Sequence, residues 1–68
     1  MSLEEFAIPK ERVAVAIGPN GGTKKEIEKQ TKTKIRIDSK NGDVEIDADD
    51  AVAVMKAASI IRAIGRGF

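Results

Sequence analysis

The sequence predicts an α+β domain whose elements run β-α-α-β-β-α. Three observations predict it. Apolar residues recur at helical spacing in three segments, and the run Gly18-Pro19-Asn20-Gly21-Gly22 breaks the chain between the first two. From Thr33 the apolar period switches to two. An Asn41-Gly42 dipeptide, whose residues both tolerate positive φ, then turns that extended segment back on itself.

Residues 1–8 carry Leu3, Phe6 and Ile8 in a partly alternating pattern that suits an edge strand. Pro9 fits the first turn of a helix. Lys10 to Ile17 places Val13, Ala14 and Ile17 on one face of two turns. After the glycine run, Thr23 is expected to cap a second helix, with Glu26 completing a capping box and Ile27 and Thr31 marking the inner face. Thr33, Ile35 and Ile37 then point one way, and Lys34, Arg36 and Asp38 the other. Asp43 to Asp47 alternates again, so the two strands make a half-buried antiparallel hairpin. Asp49 or Asp50 caps a final helix carrying Val54, Met55, Ala58, Ile61 and Ile64, and Gly65 is expected at its C′ position.

The chain has 68 residues, enough for a single core. Cysteine and histidine are both absent, which removes disulfides, zinc fingers, thiol nucleophiles and imidazole mechanisms. Carboxylates are plentiful, but none comes with a partner that would tune it for acid–base work. Those of Asp43, Glu45 and Asp47 share one strand face and read as solvent-exposed gatekeepers. No enzyme, cofactor, metal or small-molecule substrate is expected. The longest apolar run, Ala51 to Met55, is far below the ~20 residues of a membrane span. Nothing resembles a targeting segment, so a cytoplasmic protein is expected.

The net charge is only +1, yet its distribution is uneven. Between Thr23 and Arg36 six basic residues face two acidic ones, a local +4. Between Ile37 and Asp50 six acidic residues face Lys40 alone, a local −5. A compact domain would then carry a basic flank beside an acidic one.

The chemistry sits in the run from Ile17 to Ile27. Gly18 and Gly21, three apart between two short helices, allow another backbone to approach closely. The N–H groups opening the second helix face outward, and with the helix dipole and Lys24 and Lys25 beside them they suit a phosphate. A nucleotide-binding P-loop does not fit. Thr23 stands where its second glycine must be, and Lys25 where Ser or Thr should ligate Mg²⁺. A calcium loop starting at Asp38 fails as well, because Lys40 and Gly42 occupy ligand positions.

Gly18-Pro19-Asn20-Gly21, with Ile17 before it, Ile27 after it and the strand entry Thr31 to Asp38, resembles the KH (K homology) RNA-binding domain of type I, with Gly18–Gly21 as its GXXG loop. The likeness covers nearly the whole chain. The stretches Lys24-Lys25-Glu26-Ile27-Glu28, Lys34-Ile35-Arg36-Ile37-Asp38-Ser39 and Ala63-Ile64-Gly65-Arg66-Gly67-Phe68 are similar to the first KH domain of archaeal tandem-KH proteins that process or assemble small-subunit ribosomal RNA.

The resemblance implies a three-stranded antiparallel sheet covered on one face by three helices. It also implies a groove clamping about four single-stranded nucleotides against the GXXG backbone. One wall would be the helices around Gly18, Pro19, Asn20, Gly21 and Gly22, with Lys24 and Lys25 on phosphates. The other would be the strand Lys34 to Asp38, and Ile17, Ile27, Ile35 and Ile37 are candidates for an aliphatic floor. Arg36 either stacks on a base at the groove edge or sits in solvent. Two departures stand out. Pro19 and Asn20 replace the basic residues many members carry in the loop, which predicts weaker binding. Lys24 occupies a place that is usually aliphatic. Residues 1–68 would be one KH domain, the N-terminal part of a longer tandem-KH protein. Its partners would be single-stranded ribosomal RNA, a second KH domain and ribosome-assembly proteins. The alternatives are a protein-docking or oligomerisation module, with its interface on the sheet face or last helix, and a single-stranded DNA binder.

Overall fold

A computed structural model describes residues 2–67. Met1, expected in the first strand, and Phe68, part of the family-like ending, lie outside the described residues. The elements are β1 (Ser2–Ala7), α1 (Lys10–Ile17), a single 3-10 turn (Pro19–Gly21), α2 (Gly22–Thr31), β2 (Lys34–Ile37), β3 (Asp43–Ala48) and α3 (Ala51–Gly65). The sheet is antiparallel in the order β1-β3-β2, so β3 is central and both other strands are edges. This is the expected α+β architecture.

Strand alternation decides which face is covered. Ile35, Val44 and Ile46 are buried, while Lys34, Arg36, Asp43 and Glu45 are exposed on the opposite face. α3 packs on β1 and β3, α2 packs on β2, and α1 packs against both of these helices. Ile46 and Ile61 are 0% exposed at the centre of a core that also contains Ile8, Val13, Ala16, Ile27, Val54, Ala57 and Ala58.

Several inner-face expectations shift by a residue. In β1 the half-buried positions are Ser2, Glu4 and Phe6, so Leu3 falls on the outer face and is 57% exposed. Glu4 is tolerated there because Arg62 pairs with its carboxylate, and the same guanidinium lies 4.4 Å from the Phe6 ring centroid. In α1 the buried pair is Val13 and Ala16, and Ala14 is exposed, because the helix packs on two helices rather than on the sheet. In α3 the buried stripe is Val54, Ala57, Ala58 and Ile61. Met55, about 100° round the helix from Val54, is 66% exposed.

Caps and turns differ too. Asp50 is the N-cap of α3, its carboxylate accepting the Val52 N–H at 2.9 Å. Thr23 caps nothing, since α2 already starts at Gly22 behind a left-handed Gly21 and has no side-chain cap. Gly65 closes the last turn of α3 instead of following it; a Cβ there would come within 2.8 Å of Ile8 Cγ2. In the hairpin only Gly42 adopts positive φ (+79°), and the Asp38 carboxylate orders the loop by accepting the Lys40 N–H at 2.8 Å. Gly42 is also pressed against Ile8, the residue after β1, whose N–H donates to its carbonyl at 2.9 Å.

Candidate nucleic-acid interface

The turn between α1 and α2 is built by three positive-φ residues within four positions. Gly18 (φ 76°, ψ 170°) ends α1, donating its N–H to Ala14 at 2.9 Å. Asn20 (φ 55°, ψ 28°) and Gly21 (φ 73°, ψ 14°) are both left-handed. Asparagine tolerates that region better than most side chains, and glycine enters it freely. The two glycines are required for different reasons. A Cβ on Gly18 would sit 2.2 Å from Thr23 Oγ1 and 2.7 Å from the Thr23 nitrogen, whereas one on Gly21 would meet only the Lys25 stem at 3.8 Å. Gly22 has helical angles and open space around it. Thr23, expected as a cap, instead packs under Gly18.

Pro19 and Asn20 project into solvent at the apex of the turn. Behind them α2 begins without a side-chain cap, so the partial positive charge of its first turn is directed outward. Lys25 is exposed beside it. Lys24 is not free. Its ammonium donates to the Ile35 carbonyl at 3.2 Å and lies 3.6 Å from the Glu28 carboxylate. Glu28 in turn accepts the Ile35 N–H at 2.7 Å. Sequence reasoning gave Glu28 no role, although its i,i+4 spacing from Lys24 is visible in the sequence.

The four isoleucines expected as a floor gather in one apolar cluster. Ile27 and Ile35 are only 5% and 3% exposed, so Ile17 and Ile37 provide the accessible part. Lys34 and Arg36 are not brought to the turn: they stand on the uncovered sheet face, opposite Asp47 and Glu45. A concavity of about 680 Å³ lies on the sheet among Glu5, Arg36, Asp38, Asp43 and Glu45, and the glycine turn does not line it. Four carboxylates against one guanidinium make it a poor place for a phosphate chain.

The KH domain profile matches residues 3–63. The chain belongs to the KH-domain family. A KH domain-containing protein of Methanocaldococcus jannaschii is 49% identical over 71 residues, which span 98% of this chain and 31% of that protein. The crystal structure of Dim2p from Pyrococcus horikoshii superposes with a TM-score of 0.94 at 56% identity, covering all of this KH domain and 43% of Dim2p. A chain of the a/eIF2α–aDim2p–rRNA complex from the same organism gives 0.92 at 56% identity, with 98% of this chain and 40% of that one covered. A protein of unknown function from Aeropyrum pernix gives 0.93 at 34% identity over 98% and 38% of the two chains. This KH domain thus spans less than half the length of each of these relatives.

Proposed function

We propose that this KH domain binds single-stranded RNA, specifically ribosomal RNA during small-subunit processing or assembly, without catalysing a reaction. The observation that carries the reading is the uncapped start of α2, directed outward behind the Gly18–Gly21 turn with Lys25 beside it. Backbone N–H groups and a helix dipole favour a phosphate, and two positive-φ glycines let a sugar-phosphate chain come close. Ile17 and Ile37 offer the bases an apolar contact, and β2 forms the far wall. The crystallised complex of a 56%-identical relative with rRNA and a/eIF2α supports both the ligand and the setting. On this reading the chain is one KH unit of a longer tandem protein at work in the cytoplasm, beside a second KH domain and assembly proteins. Among the described residues no helix is long and apolar enough to cross a membrane.

A second reading, protein docking, is favoured by the uncovered sheet face. There Glu5 stands directly opposite Glu45 in the β1–β3 register, and the carboxylates suit a basic protein segment better than RNA.

The test is an NMR titration of labelled domain with short single-stranded RNA and DNA pools at low and moderate salt. A Pro19→Asp/Asn20→Asp variant runs beside it. Shifts at residues 17–25 and at Ile37 that disappear in the still-folded variant are expected, with RNA preferred over DNA. Silence at millimolar RNA, or shifts confined to the sheet face, would overturn the RNA reading.

A further inference from the structure

β2 is an edge strand, so one row of its backbone groups faces away from β3. The Asp38 N–H donates to Asp43 across the hairpin, which sets the alternation. Lys34 and Arg36 therefore bond towards β3, and Ile35 and Ile37 turn their N–H and C=O groups to the free edge. At Ile35 both groups are already taken by α2, the N–H by Glu28 at 2.7 Å and the carbonyl by Lys24 at 3.2 Å. These two side chains sit one helical turn apart, 3.6 Å from each other, and are only 27% and 24% exposed. At Ile37 no described side chain does the same.

We infer that Lys24 and Glu28 are positioning residues that close the β2 edge at Ile35, so that RNA meets this strand only from Ile37 onward and Lys25, not Lys24, supplies the phosphate cation. The inference rests on the RNA-binding reading for its ligand, but the closed edge stands without it. Hydrogen bonds to a charged partner are stronger than neutral ones, so a base entering at Ile35 must displace two of them at once. Drawing Lys24 out towards a phosphate would also leave the Glu28 carboxylate uncompensated beside the incoming anion. A fixed, half-buried ammonium whose charge is already matched releases few counterions when RNA binds. Lys24 thus acts on the protein's own backbone.

Amide hydrogen exchange of the RNA-free domain tests the closure. The Ile35 amide should exchange at least tenfold more slowly than that of Ile37. In Lys24→Met/Glu28→Ala this protection should be lost, while the central-strand Ile46 amide stays protected and reports an intact fold. Equal exchange at Ile35 and Ile37 in the unaltered protein overturns the inference whatever RNA does. With the RNA pool present, Ile37 should shift and Ile35 should not. The slope of log affinity against log salt should fall by about 0.7 in Lys25→Ala and stay unchanged in Lys24→Met. A shift at Ile35 matching that at Ile37, or a slope lost with Lys24, would also overturn it. RNA that moves no resonance refutes the proposed function instead, with the edge still decided by exchange.

Discussion

Three glycines within five residues should respond to alanine in three different ways. Gly18→Ala places a Cβ in a backbone region that only glycine enters readily, a cost of about 1–3 kcal/mol. It also forces that Cβ to within 2.2 Å of Thr23 Oγ1 and 2.7 Å of the Thr23 backbone nitrogen. Together these should remove about 3 kcal/mol or more, a large part of the roughly 3–10 kcal/mol that a domain this size commands. The melting temperature should fall by about 12–24 °C. Gly21→Ala meets no close atom and carries only the left-handed cost of about 1–2 kcal/mol. Gly22→Ala, with helical angles and open surroundings, should stabilise by about 0.5 kcal/mol by restricting the unfolded chain. Thermal and urea unfolding of the three variants read the order directly, with the urea slope checking that the unfolded state is unchanged. Adding Thr23→Ala to Gly18→Ala should recover less than half the loss, because the backbone nitrogen remains in the way. If Gly18→Ala costs no more than Gly21→Ala, the turn does not have the packing described and the reasoning fails.

Other substitutions separate the observed core from the one expected. Met55→Glu should change stability by less than about 0.5 kcal/mol, whereas Ile61→Ala should cost about 2–5 kcal/mol in the same urea assay. Asp50→Ala removes the acceptor for the Val52 N–H and should cost about 1 kcal/mol, with lower helicity by circular dichroism. Arg62→Met breaks contacts with both Glu4 and Phe6, but at a partly exposed site; the expected loss is about 1 kcal/mol and should shrink as salt is added.

The element order and the hairpin were readable because period-two alternation from Thr33 to Asp47 and the glycine run at 18–22 are local signals. The β2 face was likewise readable, since parity alone sends Ile35 inward and Arg36 outward. Side-chain choices one residue apart were not. Val54 and Met55 are both apolar, and only the position of the sheet beneath α3 decides that one is buried and the other exposed. The capping box at Thr23 failed because the left-handed Gly21 leads straight into α2, so the helix starts two residues early. In the site, the turn and its flanking isoleucines were legible. The engagement of Lys24 was not, because it depends on where β2 comes to rest against α2, a meeting that no local pattern reports.

Ile8 has consequences for how the chain folds. It bonds to Gly42 in the hairpin loop and packs against Gly65 at the end of α3, so three segments distant in sequence converge on one residue. Such a junction has no local contacts to reward it early: it closes only when the hairpin and the last helix are both in place. Destabilising it with Ile8→Val should therefore speed unfolding and leave the refolding rate nearly unchanged, a φ-value near zero in a chevron analysis. A refolding limb slowed in proportion to the lost stability would place Ile8 in the folding nucleus instead. A φ-value near zero would make this seam, held together by residues 8, 42 and 65, open before the unfolding transition state is reached, so that its contacts set the native lifetime of the domain.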